Sequence, residues 1–254
     1  MREAAGTRNS SSPETTVLTS DNYKANRGRV RIGISLLGAL LTAVTALFVF
    51  GWLSEEVLEG ATQHFDAFVR NAIHQVSTPG LTLLMHAFSV LGSVAVITVL
   101  SLSAVCAFVC LHRSRTAALL AITMLGVGVL DITLKHAFHR DRPVAFFGMS
   151  PSSYSFPSGH ALGSLCFYGV LAAILSARAR GRGVRLCIWS AAVVLIAMIG
   201  LSRVYLGVHY PSDVIAGYCA AAVWGGTIVF VEQTLELREQ LSRKVVGPTD
   251  QAGG

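Results

Sequence analysis

Charge is scarce in this chain. Only 13% of its 254 residues are Asp, Glu, Lys or Arg, about half the share of a soluble globular domain, while 52% are hydrophobic. Such a chain cannot cover its own surface with charge, so lipid must be the solvent for much of it. The same numbers exclude disorder and a collagen-like fibre. The apolar runs lack proline: all seven (13, 79, 143, 151, 157, 211 and 248) lie outside them, which leaves helices unbroken. The five cysteines, Cys106, Cys110, Cys166, Cys187 and Cys219, sit in apolar segments and match neither a disulfide framework nor a zinc site. They read as packing residues. Acidic charge is the scarcer sign, 14 residues against 20 basic ones, for a net charge of +6. The basic residues form short clusters between apolar runs, which is a signature of membrane topology and not of nucleic-acid binding.

The polar residues 1–31, with Lys24, Arg27, Arg29 and Arg31, are expected to form a disordered cytoplasmic tail. The first apolar run, Ile32 to Leu53, is uncharged, and its length and position predict an uncleaved anchor. Five further runs follow at 92–111, 116–134, 161–177, 186–201 and 213–231, each near the length that crosses about 30 Å of hydrocarbon. Between the first and second, Leu58, Ala61, Phe65, Phe68, Ala72 and Val76 recur at helical spacing, with Glu59, Asp66 and Arg70 among them. That pattern predicts an amphipathic helix at 55–78 lying on the bilayer, closed by Thr78-Pro79-Gly80. Residues 81–91 predict a second interfacial helix that breaks at Gly92-Ser93. The expected fold is therefore all-α: a polytopic membrane protein with six transmembrane helices, an interfacial helix after the first, one domain over 32–231, and a cytoplasmic tail at 232–254.

Basic clusters orient the chain. The N-terminal tail, the 112–115 link, the 178–185 link and the C-terminal tail all carry them, which places both termini in the cytoplasm of a plasma-membrane protein. The opposite face carries Glu55, Glu56, Glu59 and Asp66 in its first loop. Yet the exits of the third and fifth spans on that face are basic, against the rule.

Those exits hold the chemistry. Lys135 to Pro143 ends the third span, Phe156 to His160 opens the fourth, and Ser202 to Asp213 links the fifth to the sixth. Lys135, Arg142 and Arg203 supply enough positive charge to neutralise a phosphoryl group and its transition state. Ser158 and Gly159 open a helix whose free N–H groups form an anion site. Asp213 lies one helical turn from His209 and can fix its tautomer so that the other nitrogen attacks phosphorus. His160 is placed to protonate the leaving oxygen. No residues read as dedicated metal ligands, and no cofactor is implied.

In these three clusters the chain resembles the type 2 phosphatidic acid phosphatase superfamily, whose pattern is K-x6-RP, PSGH and SR-x5-H-x3-D. Every motif position is matched, by Lys135, Arg142-Pro143, Pro157-Ser158-Gly159-His160, Ser202-Arg203, His209 and Asp213. The resemblance implies metal-independent phosphate hydrolysis through a phosphohistidine, with His209 as nucleophile, Asp213 as its orienting partner and His160 as general acid. It implies that Lys135, Arg142, Ser158, Gly159 and Arg203 bind the phosphoryl oxygens. The expected substrate is a phosphorylated membrane lipid met at the extracytoplasmic face, first of all undecaprenyl diphosphate. Phosphatidylglycerophosphate or phosphatidic acid, and phosphotransfer to a lipid acceptor, are the alternatives on the same machinery. An anion-binding transporter is the alternative from another class, disfavoured by unbroken spans and the lack of internal repeats.

Residues outside the pattern receive blander readings. Asp131, four residues before Lys135 on one helical face, reads as its structural ion-pair partner. His136, His139, Arg140 and Asp141 read as loop or headgroup contacts, and Tyr205 and Tyr210 as rim packing.

Overall fold

A computed structural model describes residues 13–148 and 151–245, with side chains described between 33 and 239. The described residues form eight helices and no strand: α1 (Pro13–Leu58), α2 (Gln63–Gln75), α3 (Pro79–Leu91), α4 (Val94–Cys110), α5 (Ser114–Phe138), α6 (Gly159–Arg178), α7 (Arg182–Tyr205) and α8 (Pro211–Val245). Five segments are long and apolar enough to cross a membrane, namely Gly33–Leu58, α5, α6, α7 and Pro211–Glu239. The span expected at 92–111 is different. α4 passes the same test only together with α3, and the two meet at 46° across Gly92-Ser93. The bend falls at the dipeptide where the second interfacial helix was expected to end.

The chain divides into two units, residues 1–39 with 229–254, and residues 40–228. In the first, Gln233 donates to the Ser35 hydroxyl at 2.6 Å. The second holds the core and the site. There α6 is the most enclosed span. Its Phe167 and Tyr168 pack against Ile97 and Phe108 of α4, Ala117 and Leu120 of α5, and Ile196 and Ile199 of α7. Its Leu162 and Cys166 pack against Val127 of α5 and Ala220 and Ala221 of α8. Small residues permit the closest approaches, as they do wherever helices associate in lipid. A Cβ on Gly217 of α8 would lie 2.6 Å from the Ser158 carbonyl oxygen. The outward faces remain apolar: Leu125, Val129 and Ile132 on α5 and Val193 and Val194 on α7 are exposed, as a lipid solvent requires.

Several expectations are corrected. Residues 13–31 were expected to be a disordered tail, yet their backbone continues α1 as helix. Pro13 is tolerated in a first turn, no later proline interrupts, and extension of a formed helix is cheap. For the same reason α8 runs on through residues 232–245 of the C-terminal tail as helix; residues 1–12 and 246–254 lie outside the described residues. The amphipathic helix begins at Gln63 and not at 55, because α1 continues to Leu58 and ends at Gly60 in a left-handed turn, φ +77°. It stops at Gln75, and Thr78 caps α3 by accepting the Leu81 amide.

Tyr205 is core and not rim. It is buried, hydrogen-bonded to Thr82 at 2.8 Å and stacked on Phe147. Of the five cysteines only Cys166 is buried, since the helices turn Cys106, Cys110 and Cys187 outward.

The faces of α2 set up the site. Thr62, Asp66, Arg70 and Ile73 form its inward stripe, while Phe65, Phe68 and Val76 are exposed. The apolar stripe seen in the sequence is real, but it faces out. What α2 presents to the protein is a carboxylate and a guanidinium, the reverse of a helix on a water-soluble domain.

Candidate active site

The ends of α5 and α7 meet the starts of α6 and α8, so residues far apart in sequence converge. The Ser158 amide, at the start of α6, donates to the Asp213 carbonyl in α8 at 2.9 Å. α5 closes with His139 in the left-handed region, φ +47°, and the chain turns into the loop that carries Arg142. Ser155 anchors the far side of that loop through its amide and hydroxyl on the Arg140 and Asp141 carbonyls. After α7, the Val208 amide returns to the Arg203 carbonyl at 3.1 Å, which draws His209 back beside Arg203.

His209 is 1% exposed and Asp213 is fully buried. Asp213 Oδ2 lies 3.3 Å from His209 Nδ1 and also accepts the Tyr210 amide at 2.8 Å. An anionic acceptor at Nδ1 keeps a proton there and leaves the Nε2 lone pair free to act. That lone pair accepts from Arg142 Nη1 at 2.9 Å. Burial pulls the imidazole down from its usual value to about 4, and Arg142 and Arg203 add to that, while Asp213 pulls it back up. The ring is neutral at physiological pH, the state that a nitrogen nucleophile needs.

Arg142 is held on several sides. It donates to the Ser153, Tyr154 and Val208 carbonyls and to the Ser153 hydroxyl. Burial lowers its guanidinium from the usual value, and Asp213 and Asp131 oppose the shift. Lys135 pairs with Asp131 at 2.8 Å, the contact expected from their one-turn spacing. Asp131 also rests on Gly159, where a Cβ would sit 2.5 Å from its Oδ1; glycine there lets the ion pair lie against the mouth of α6. His160 follows, within electrostatic reach of Arg203, His209, Lys135 and Arg142. Arg203 is buried and reaches Ser89 of α3 through Nη1. Its Nε, like the Ser158 hydroxyl and Asp131 Oδ1, is buried without a hydrogen-bond partner.

All eight residues singled out in the sequence converge here. Direct hydrogen bonds join Arg142, His209 and Asp213, and the Ser158 amide joins them through the Asp213 backbone. Lys135, His160 and Arg203 surround them, linked by charge and not by hydrogen bonds to the pair. A cluster of cations and orphaned donors around a neutral imidazole is suited to bind a phosphoryl group and let nitrogen attack it.

Sequence reasoning missed two residues. Arg140 does not reach outward to a headgroup. It donates to Asp213 Oδ1 at 2.6 Å, to Asp66 Oδ2 at 2.8 Å and to the Ser212 hydroxyl at 2.8 Å, with Tyr210 stacked 4.1 Å from its guanidinium carbon. Asp66, read as part of an acidic outer loop, is fully buried and accepts both the amide and the hydroxyl of Ser212. The signal was the spacing of Thr62, Asp66, Arg70 and Ile73, which marks one helical face; it was passed over because the apolar face is stronger.

Comparison with known proteins agrees with this geometry. The family profile of the PAP2 superfamily matches residues 115–236, from the start of α5 through most of α8. The chain is 29% identical to phosphatidylglycerophosphatase B of Bacillus subtilis over 177 residues, 69% of this chain and 87% of the relative. It is 30% identical to an undecaprenyl-diphosphatase of Sulfolobus acidocaldarius over 123 residues, 46% of this chain and 53% of that one. Among solved structures, a transmembrane PAP2-type phosphatidylglycerolphosphate phosphatase from Bacillus subtilis superposes with a TM-score of 0.67 at 25% identity, covering 80% of this chain and 98% of its own. The matched segment contains every motif residue, and the helices bearing them form the fold of a solved member. Residues 115–236, which carry every motif residue, are a PAP2-superfamily segment by profile, and the chain is similar in sequence and fold to PAP2-type membrane phosphatases.

Proposed function

We propose that this protein hydrolyses a phosphorylated membrane lipid through a covalent intermediate on His209. The observation that carries the reading is the Asp213–His209–Arg142 line, in which Asp213 fixes Nδ1 while Nε2 points at a cation. A phosphate oxygen takes over the Arg142 donor, and Nε2 attacks phosphorus. The phosphorus–oxygen bond to the lipid breaks as His160 delivers its proton to the leaving oxygen. Water then attacks the phosphohistidine, with His160 taking the water's proton. The phosphorus–nitrogen bond breaks, giving inorganic phosphate and neutral His209. Lys135, Arg142, Arg203, the Ser158 hydroxyl and the first amides of α6 hold the developing charge. Three cations supply that neutralisation, so the reaction needs no metal. The site faces the extracytoplasmic side, and both termini are cytoplasmic.

Two headgroups are supported. The sequence alone put undecaprenyl diphosphate first, on chain length and topology, and the Sulfolobus relative is named for that substrate. The relative matched over most of its length, and the solved structure, are both phosphatidylglycerophosphate phosphatases. That longer match puts a terminal phosphomonoester on a glycerophospholipid ahead. The test is phosphate release in detergent with EDTA, from phosphatidylglycerophosphate, phosphatidic acid and undecaprenyl diphosphate, for wild type and His209→Ala. Release by wild type alone, fastest from phosphatidylglycerophosphate, is expected. Faster release from the diphosphate restores the first ordering. No release from any of the three, by a folded wild type without added acceptor, overturns the hydrolase reading.

A further inference from the structure

The buried charges behind His209 alternate in sign. Asp213 binds the imidazole, Arg140 binds Asp213 Oδ1, and Asp66 binds the other half of the Arg140 guanidinium. Asp66 is fully buried and Arg140 mostly so: Thr62 and Ser212 bond the two terminal nitrogens of Arg140, Ser212 bonds both oxygens of Asp66, and Tyr210 covers the guanidinium face. A buried bridge of this kind leaves a bare buried charge when one partner is removed. None of its outer members reaches the reacting atoms, and the three residue types fit no ligand of their own.

We infer that Arg140 and Asp66 are positioning residues that set the charge and orientation of Asp213, and through it the proton affinity and tautomer of His209. Arg140 occupies Oδ1, so the carboxylate cannot rotate and Oδ2 alone faces Nδ1. Its positive charge also offsets part of the Asp213 charge and so lowers the proton affinity of the imidazole. Asp66 in turn tempers Arg140 and ties it to α2, the helix whose Phe65 and Phe68 are exposed on the opposite side. The geometry makes α2 part of the catalytic frame.

The sign of each perturbation follows from the alternation. The charged and titratable groups around His209 are Asp213 on α8, Arg142 from the loop after α5, Arg203 on α7 and His160 on α6, with the Asp131–Lys135 pair on α5 beyond. All stay in place in the variants below. Removing Arg140 unmasks Asp213 and raises the proton affinity of His209. Removing Asp66 as well takes away the second negative charge and lowers it again.

The inference rests on the reading of His209 as nucleophile. The experiment is the pH dependence of kcat/KM, from about pH 3 to 7, on one short-chain lipid phosphate whose own ionisation is common to every variant. Arg140→Gln is expected to move the acid limb upward by roughly one pH unit, with kcat at least tenfold lower. Asp66→Asn/Arg140→Gln is expected to bring the limb part of the way back, and Arg140→Lys to leave it near wild type. Asp66→Asn alone, nearly isosteric and the variant to use if Arg140→Gln does not fold, is expected to move the limb downward. An active wild type with limbs that stay fixed, or that move the same way in Arg140→Gln and Asp66→Asn, overturns the inference, because mere loosening of the fold has no charge sign. A wild type silent on the lipid panel overturns the nucleophile reading instead.

Discussion

Replacing Asp213 by Asn is a severe test, because the structure gives both carboxylate oxygens donors that cannot be reversed. Oδ1 faces Arg140 Nη1 at 2.6 Å, while Oδ2 faces the Tyr210 amide at 2.8 Å and His209 Nδ1 at 3.3 Å. An asparagine amide presents one oxygen and one NH2. If the NH2 turns to Arg140, two donors meet at a buried site. If it turns to His209, it opposes the Tyr210 amide and stabilises the tautomer with a free Nδ1, which puts the proton on the attacking nitrogen. Neither flip is satisfied. Loss of one charge-assisted hydrogen bond costs about 1.5–3 kcal/mol of stability, moderated because Arg140 keeps Asp66. The catalytic loss is larger: a tautomer-fixing Asp changed to Asn costs roughly ten-thousand-fold in kcat in a serine-protease triad. We expect a folded Asp213→Asn protein with kcat down roughly a thousand- to ten-thousand-fold, KM little changed, in phosphate-release assays on a short-chain lipid phosphate. Retention of a tenth of wild-type kcat would refute the reasoning.

Further outcomes follow from the same contacts. Arg203→Gln removes a buried cation whose Nε has no protein partner, and should lower kcat/KM by roughly a hundred- to a thousand-fold, checked by steady-state kinetics; an unchanged value would exclude Arg203 from phosphate binding. Because burial pulls His209 down to about 4, enzyme activity should persist well below pH 6.5 and fall only as pH drops through about 4. Stability follows a matching sign: between about 4 and 6.5 the unfolded chain binds a proton that native His209 does not, so this residue's contribution is lost as pH falls across that window. Thermal unfolding of wild type and His209→Gln over pH 4–7 checks it, since the glutamine variant should lose less stability toward pH 4. Phe65→Ala/Phe68→Ala removes the exposed aromatic face of α2 and should reduce turnover of long-chain substrates more than short-chain ones; equal losses would argue against a lipid-guiding role.

The parts of the fold legible in the sequence are those governed by long-range hydropathy. Spans α5 to α8 fall where apolar runs of sufficient length lie, and the break at Gly92-Ser93 falls where an apolar run was too long for one helix. The helix ends were less legible. Lipid-spanning segments continue past their apolar stretch as ordinary helices, so residues 13–31 and 232–245 keep helical backbone without hydrophobic signal. The motif residues were legible because each has one task at a fixed spacing. Arg140 and Asp66 were not, because the pairing that defines them joins residues 74 positions apart; the spacing of Thr62, Asp66, Arg70 and Ile73 marks a helical face but not its partner. For α2, hydrophobic periodicity located the apolar face, which is the exposed one, but gave no sign of what the polar stripe packs against.

The central claim is that phosphorus passes through His209. Rapid quenching of wild type with a radiolabelled lipid phosphate, followed by peptide mapping, tests it most directly. The account predicts an acid-labile, alkali-stable label on the peptide carrying His209, with neither label nor phosphate release from a folded His209→Ala protein. Full turnover by that variant, or label on any other residue, would contradict it.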